Sequence, residues 1–158
     1  MLAFKPAEPD QYDEFFAILR RDSAGYLESV LEQMHTTWGE FASLFRTVGQ
    51  VIGVYQDEVL AGFCWIEERQ NILHLHGLFI LDAFQGQGLG SAVIRRLKEQ
   101  YCGRMKAIEL GVHRSNLRAK ALYDRLGFSI VQQREDVGFF IMHLPLKNNS
   151  SHSTRMVE

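Results

Sequence analysis

Leu73-His74-Leu75-His76-Gly77-Leu78-Phe79-Ile80-Leu81-Asp82-Ala83-Phe84-Gln85-Gly86-Gln87-Gly88-Leu89-Gly90 is the stretch on which the fold turns. Its first half reads as a strand that carries two histidines and then an apolar run, Leu78-Phe79-Ile80. Its second half is a loop with glycines at alternate positions. From Leu89 a helical pattern takes over, with Leu89, Val93, Ile94 and Leu97 on one side and Arg95, Arg96, Lys98 and Glu99 elsewhere, predicting a helix over Leu89 to Tyr101. A strand that passes through glycines into a helix gathers free backbone N–H groups at the helix's positive end, an arrangement suited to phosphate or pyrophosphate. Glycine supplies unusual dihedrals there and lets a ligand approach without a Cβ in the way.

Two common phosphate patterns do not fit. No Gly-Lys-Ser/Thr follows the loop, and after Gly86-Gln87-Gly88 the third position of a dinucleotide fingerprint falls on Ser91. Glu109 stands about where a ribose ligand would, but inside its strand rather than at its end, and an antiparallel run precedes the loop.

Working outward, Gln50 to Tyr55, Val59 to Glu67 and Ile72 to Ile80 read as three strands joined by polar turns at Asp57-Glu58 and Glu68 to Asn71, an antiparallel meander. Before it, Leu2 to Phe4 predicts a short strand ended by Pro6 and Pro9, and Asp10 onward a first helix. A second helical region runs from Ser23–Tyr26 to Phe45 and is expected to break or bend at Gly39. After the glycine loop's helix come a strand over Ala107 to Val112 and a helix over Asn116 to Leu126, stopped by Gly127 in a left-handed cap. A strand pair, Phe128 to Val131 and Gly138 to Leu144, closes the fold around Arg134-Glu135-Asp136. The expectation is one α/β domain over residues 1–146, with a mixed, mostly antiparallel sheet flanked by helices. The polar tail, residues 147–158, is expected to be disordered.

Composition fits a soluble globular chain of 158 residues, 46% hydrophobic and 23% charged. A net charge of -2 argues against a polyanion-binding surface, so no nucleic-acid partner is expected. No apolar run spans a bilayer and no signal-peptide pattern opens the chain, so a cytoplasmic protein without membrane partner is expected. Cys64 and Cys102 read as two reduced thiols.

The Gln-x-x-Gly-x-Gly pattern at Gln85, Gly88 and Gly90 resembles the acetyl-CoA loop of the GNAT superfamily of N-acetyltransferases. The segment Asn116-Leu117-Arg118-Ala119-Lys120-Ala121-Leu122-Tyr123-Asp124-Arg125-Leu126-Gly127-Phe128 is similar to that family's Asn-x-x-Ala-x-x-x-Tyr-x-x-x-Gly-Phe segment. The resemblance implies a GNAT-like sheet with a splayed strand pair as the acetyl-CoA slot. It also implies a pyrophosphate held by amides of Gln85, Gly86, Gln87, Gly88, Leu89, Gly90 and Ser91. The pantetheine arm would lie against the backbone of Leu78, Phe79 and Ile80, with Asn116 bonded to it and Tyr123 by the sulfur. Gly77 is the expected place for the bulge that splays the strands. Asn116 and Tyr123 stand two helical turns apart on one face, with small Ala119 between them. An N-cap role for Asn116 and a packing role for Tyr123 are the simpler alternatives, and cap and ligand roles are compatible.

On a strand, residues two apart share a face, so His74 and His76 project together. An attacking amine must be neutral, whereas an alkylammonium is protonated at pH 7. An imidazole of pKa ~6.5 can take the proton directly or through water. The His-Leu-His placement also resembles the arylalkylamine N-acetyltransferase branch, whose two such histidines serve proton removal. Other branches carry a glutamate at the His74 position. His74 is the expected acceptor and His76 its helper or alternative, while Tyr123 would protonate the departing thiolate unless nearby amides stabilise the anion. Glu67 and Glu68 are competing bases that read as a solvated turn. A metal site with His113 or His35 as third ligand lacks the usual Cys or carboxylate spacing, so no metal is expected.

The expected activity is acetyl transfer from acetyl-CoA to a primary amine of a small molecule, by direct attack in a ternary complex. The acceptor site is expected along Tyr26 to Phe45 together with Tyr55, Trp65 and the two histidines. Its aromatics Tyr26, Trp38 and Phe41 suit an apolar or aromatic amine ahead of a polyamine, amino acid or peptide terminus, and a purely core role for them is the equal alternative. A protein lysine or N-terminus as acceptor, or a non-catalytic acyl-CoA sensor, are the rival readings, and the chain is open to forming a homodimer.

Overall fold

The computed structural model describes residues 1–147. In chain order its elements are β1 (Leu2–Pro6), α1 (Gln11–Asp22), α2 (Leu27–Gln33), α3 (Trp38–Thr47), β2 (Gln50–Gln56), β3 (Val59–Arg69), β4 (Ile72–Ile80), α4 (Leu89–Tyr101), β5 (Ala107–His113), α5 (Leu117–Arg125), β6 (Ser129–Arg134) and β7 (Phe139–Pro145). The seven strands form one sheet in the order β1-β2-β3-β4-β5-β7-β6. β4 and β5 run parallel, because the chain returns through α4, while all other neighbours are antiparallel. The α/β, mostly antiparallel sheet expected from the sequence is what the chain forms.

Two tight hairpins set the register of the meander. Asp57-Glu58 and Gln70-Asn71 all have positive φ, the backbone of two-residue turns whose twist matches the flanking strands. β3 therefore extends through Glu68 to Arg69, and the second turn is two residues shorter than expected. Glu67 and Glu68 are strand residues, which removes them from the turn that sequence assigned to them.

Each sheet face has its own core. On one, α4 and α5 cover Val54, Cys64, Ile66, Leu73, Leu75, Ile108, Leu110 and Met142. On the other, α1–α3 cover Val51, Phe63 and Trp65, with Phe15 stacked on Phe63 at 4.6 Å. The break in the second helical region lies at Met34 to Thr37 and not at Gly39, which is helical. His35 takes a left-handed turn (φ 54°) and Thr37 opens α3 in a reciprocal capping box with Glu40. A cap that satisfies two free amides outweighs the modest helix penalty of one glycine near the helix start.

The feature that creates a site is a bulge in β4. Trp65 pairs with Gly77 and Ile66 with Leu75, so His76 is the inserted residue. The expected bulge thus falls one position earlier, and Gly77 serves differently: a Cβ there would stand 2.6 Å from the Phe79 ring. Past the bulge the alternation shifts by one. Leu78 continues on the α4 face with Leu73 and Leu75, whereas Phe79 crosses to stack on Phe63 at 5.0 Å. A bulge bends its strand. Pairing of β4 with β5 stops at Leu75–Leu110, although β5 runs on to His113 along β7. The sheet opens there like a V.

The expected tail lies, from residue 148 onward, outside the described residues. No described helix is long and apolar enough to cross a membrane.

Candidate active site

A cleft of about 480 Å³ lies on the α4/α5 side of the V. Leu78 and Ile80 form its strand wall, the loop from Gln85 through Gly86, Gly88, Leu89 and Gly90 to Ser91 its floor, and Asn116 and Tyr123 its α5 wall. Sequence thus brought most of its donor-site residues into one cleft. Two stand outside its lining: Phe79, turned to the other face, and Gln87, which reaches back to the Ala83 carbonyl at 3.5 Å. Phe84, Arg118, Leu122 and Arg125 line it as well and were missed. The arginines could have been found from their spacing, since Arg118 and Arg125 stand two turns apart on α5 as Asn116 and Tyr123 do.

The loop's geometry suits a diphosphate. Gly86 and Gly88 have φ of 79° and 77°, and a Cβ at either would meet no protein atom within 4 Å. Backbone conformation therefore demands these glycines, and the space above them is open. Gly90 differs: it lies inside α4 and gives room to Leu122, 3.3 Å from where its Cβ would be. α4 has no side-chain N-cap, and its first internal bond runs from Ala92 N to Gly88 O. The N–H groups of Leu89, Gly90 and Ser91 precede that bond at the helix's positive end. Gln85 Nε2 ties the loop to the Ile80 carbonyl at 2.9 Å. Asn116 caps α5 by accepting from Ala119 N–H at 3.2 Å, leaving its amide NH₂ as a donor beside the cleft. On the side facing β5, the backbone of β4 beyond Leu75 has no ladder partner among the described residues.

Across the sheet the histidines meet carboxylates. His74 and His76 stack with ring centres 6.0 Å apart, so they share a face as expected. His76 Nε2 bonds Glu67 Oε1 at 2.8 Å, and Glu67 also lies 3.5 Å from Arg69. The His76 bond, above all, holds the Glu67 carboxyl below the usual range. His74 Nδ1 lies 3.0 Å from Glu109 Oε2, whose other oxygen accepts from His143 Nε2 at 2.8 Å. Burial pushes the His74 pKa below its ordinary value, more strongly than Glu109 pulls it up. Sequence reasoning passed over Glu109 as a ribose ligand and did not single out His143. Both lie on one transverse row with His74, a placement that only strand register reveals.

Along β5, Glu109, Gly111 and His113 share the face of the histidines. A Cβ at Gly111 would touch Phe139 at 3.4 Å, and about 13 Å beyond Glu109 the His113 ring stacks on Tyr26 at 4.5 Å. A second recess of about 410 Å³ opens there, between Tyr26, Arg114, Glu135 and Asp136. Trp65 is buried beneath His76, ring centres 4.9 Å apart, with its N–H on the Val48 carbonyl. Trp38 sits farther out among Phe16 and Phe41, under the Arg20 guanidinium. Of the expected acceptor aromatics, Tyr26 lines a recess, Trp65 supports a histidine, Trp38 and Phe41 belong to the helical layer, and the Tyr55 hydroxyl accepts from Gln11 of α1 at 3.0 Å.

The two faces communicate through the V. Tyr123 packs on the α4/α5 side, and its hydroxyl is pushed up to about 12 by burial and by Tyr26 from the opposite side. Burial pushes the Cys64 thiol up to about 12 as well, which keeps it an uncharged core group and a poor nucleophile. Among the described residues no three His, Cys, Asp or Glu side chains are arranged to hold a metal ion. His113 and His35 both lie away from the doublet, one on Tyr26 and the other in the α2–α3 turn.

The model of the acetyltransferase (GNAT) family matches residues 10–128. A mycothiol acetyltransferase from Kineococcus radiotolerans is 40% identical over 70 residues, 44% of this chain and 23% of that relative. The chain therefore matches less than a quarter of that relative's length. The ribosomal-protein-S18-alanine N-acetyltransferase of Escherichia coli superposes with a TM-score of 0.67 at 21% identity, over 93% of this chain and 95% of that one. The PaiA N-acetyltransferase of Thermoplasma acidophilum, in complex with coenzyme A, gives 0.67 at 17% identity, over 92% and 99%. Both likenesses concern the fold.

Proposed function

This chain belongs to the acetyltransferase (GNAT) family, and from that premise we propose that it acetylates a primary amine of a small molecule by direct attack within a ternary complex with acetyl-CoA. The observation that carries the reading is the V between β4 and β5. It joins an anion-suited cleft on one face to a histidine pair backed by carboxylates on the other.

The chain's residues fit the donor. Free amides of Leu89, Gly90 and Ser91, with Arg118 and Arg125 at the rim, would hold the diphosphate. The open edge of β4 at Leu78 to Ile80 would pair with the pantetheine amides, and Asn116 would donate its NH₂. When bound, acetyl-CoA supplies the thioester carbon that the amine attacks and a thiolate as leaving group. His74 would take the ammonium proton at Nε2, since its Nδ1 is engaged by Glu109, with His76 as helper. Tyr123, protonated throughout the working range, would offer its O–H at the sulfur.

The recess at Tyr26 and His113 is of small-molecule size. Its aromatic wall suits an apolar or aromatic amine, and Glu135 supplies a carboxylate there, Asp136 being paired with Arg134 at 3.0 Å. Thiol release from acetyl-CoA across a panel of arylalkylamines, polyamines, amino acids and peptides tests the reading. Turnover on peptides alone would make it a protein-modifying enzyme. Saturable CoA binding without turnover on any amine would make it a sensor. A calorimetric titration with CoA that gives no heat at millimolar levels would remove the family's chemistry from this chain altogether.

Tyr123→Phe checks the acid separately. Its kcat should fall about 10- to 100-fold with CoA affinity unchanged within about threefold, because only the hydroxyl is lost. A kcat equal to the parent's would leave Tyr123 a packing residue against Phe128, which it touches at 5.6 Å between ring centres.

A further inference from the structure

The geometry points to Glu109 as the positioning residue that makes His74, rather than His76, the proton acceptor, with His143 holding Glu109 in place; this rests on the N-acetyltransferase reading above. Four strands supply one continuous row. Glu67 on β3 pairs with His74 on β4, His74 with Glu109 on β5, and Glu109 with His143 on β7. All lie on one face, so the row crosses the sheet just before the V, whose last paired residues are Leu75 and Leu110.

His143 Nε2 donates to Glu109 Oε1 at 2.8 Å, because a carboxylate only accepts. His74 Nδ1 lies 3.0 Å from the other Glu109 oxygen as an ion-pair contact, while Arg69 Nη2 reaches the same nitrogen at 3.5 Å. The carboxylate is the nearer neighbour and the one that favours a proton on Nδ1. That tautomer leaves the lone pair of His74 on Nε2.

The groups facing His74 are Glu67 and Arg69 from β3, His76 on its own strand, and Glu109 from β5. Of the two carboxylates, Glu109 has each oxygen on an imidazole, and among the described residues no Lys or Arg is paired with it. Glu67, in contrast, is shared between His76 and Arg69. When the amine gives its proton to His74 Nε2, the new imidazolium lies beside a carboxylate that no described Lys or Arg neutralises. His76 gains less, because Arg69 already balances its partner. This is the base-and-orienter arrangement of nucleophile-activating sites, applied to an amine.

Glu109→Gln keeps the shape and an oxygen acceptor but removes the charge. The acid limb of kcat/KM should move to lower pH by about one unit, with the plateau reduced about tenfold or more. His143→Gln should move the limb in the same direction by less, since it only loosens the carboxylate. NMR titration of the His74 ring in the apo protein supplies a readout free of catalysis. Its pKa should drop in Glu109→Gln, while the His76 titration stays within a few tenths. A limb or a His74 titration that does not move with the charge removed overturns the assignment, as does a limb that follows His76. If no amine is turned over, the functional reading has failed, and the NMR titration still decides whether Glu109 sets the basicity of His74.

Discussion

His74→Ala should lower kcat/KM for the amine about 10²- to 10³-fold near neutral pH and flatten the acid limb of the profile. The parent limb should inflect below 6.5, because burial outweighs Glu109 in setting the pKa of His74. The sign follows from the role. A base works only when neutral, so activity rises with pH through its pKa, and a depressed pKa leaves more of it ready at pH 7. With His74 gone, an amine must lose its proton to water before it binds. The deficit should therefore shrink as pH climbs toward ~10, where a lysine-like alkylammonium deprotonates in solution. CoA affinity should hold, since the cleft lies on the opposite face of the sheet. Glu109 keeps its bond to His143, so the fold should lose little. His76→Ala should cost less, its partner Glu67 being shared with Arg69. A variant that kept the limb would place the base on Glu67 or His76.

The residues that line the α4/α5 cleft were legible in the sequence because they are local. Gln85 to Ser91 is one loop and helix start, and Asn116 to Tyr123 is one helix. Contiguous residues carry both the dihedral requirement of Gly86 and Gly88 and the shared face of Asn116 and Tyr123. The acceptor side was only half legible. The pairing of His74 with His76 follows from strand alternation, but their partners come from β3, β5 and β7. Glu67 stood at the expected end of its strand, and only the β3–β4 register sets it opposite His74. Glu109 and His143 are 34 residues apart and meet through the β5–β7 register, which no local pattern encodes. Gly39 misled for a related reason. Its propensity is visible in isolation, whereas the Thr37–Glu40 box that begins α3 matters only once both amides need partners. The V itself rests on one inserted residue, His76, and the sequence marked the neighbouring glycine.

Gly88→Val should weaken CoA binding about 10- to 100-fold while costing the fold about 1–2 kcal/mol. Gly88 holds a φ of 77° at the N-cap of α4, a left-handed conformation that a β-branched residue adopts only under strain. Beyond its chain neighbours, no atom of the described residues lies within 4 Å of the position its Cβ would take, so the stability loss stops at the backbone. For a chain of this size that is a fall in Tm of roughly 3–8 °C. Ligand binding suffers twice. The valine methyls project into the open cleft, and relaxing φ turns the amides of Leu89 and Gly90 away from the anion they would hold, each such charge-assisted bond contributing ~1.5–3 kcal/mol. Gly127→Val supplies the matched control. Gly127 is also left-handed, with φ of 100°, but caps the far end of α5, where its Cβ would touch Leu144 at 3.4 Å. Both variants should melt earlier, and only Gly88→Val should lose CoA in calorimetry. Equal CoA affinities in the two would mean that the amides at the start of α4 do not grip the diphosphate, because the loop would then respond to substitution only as a piece of strained backbone.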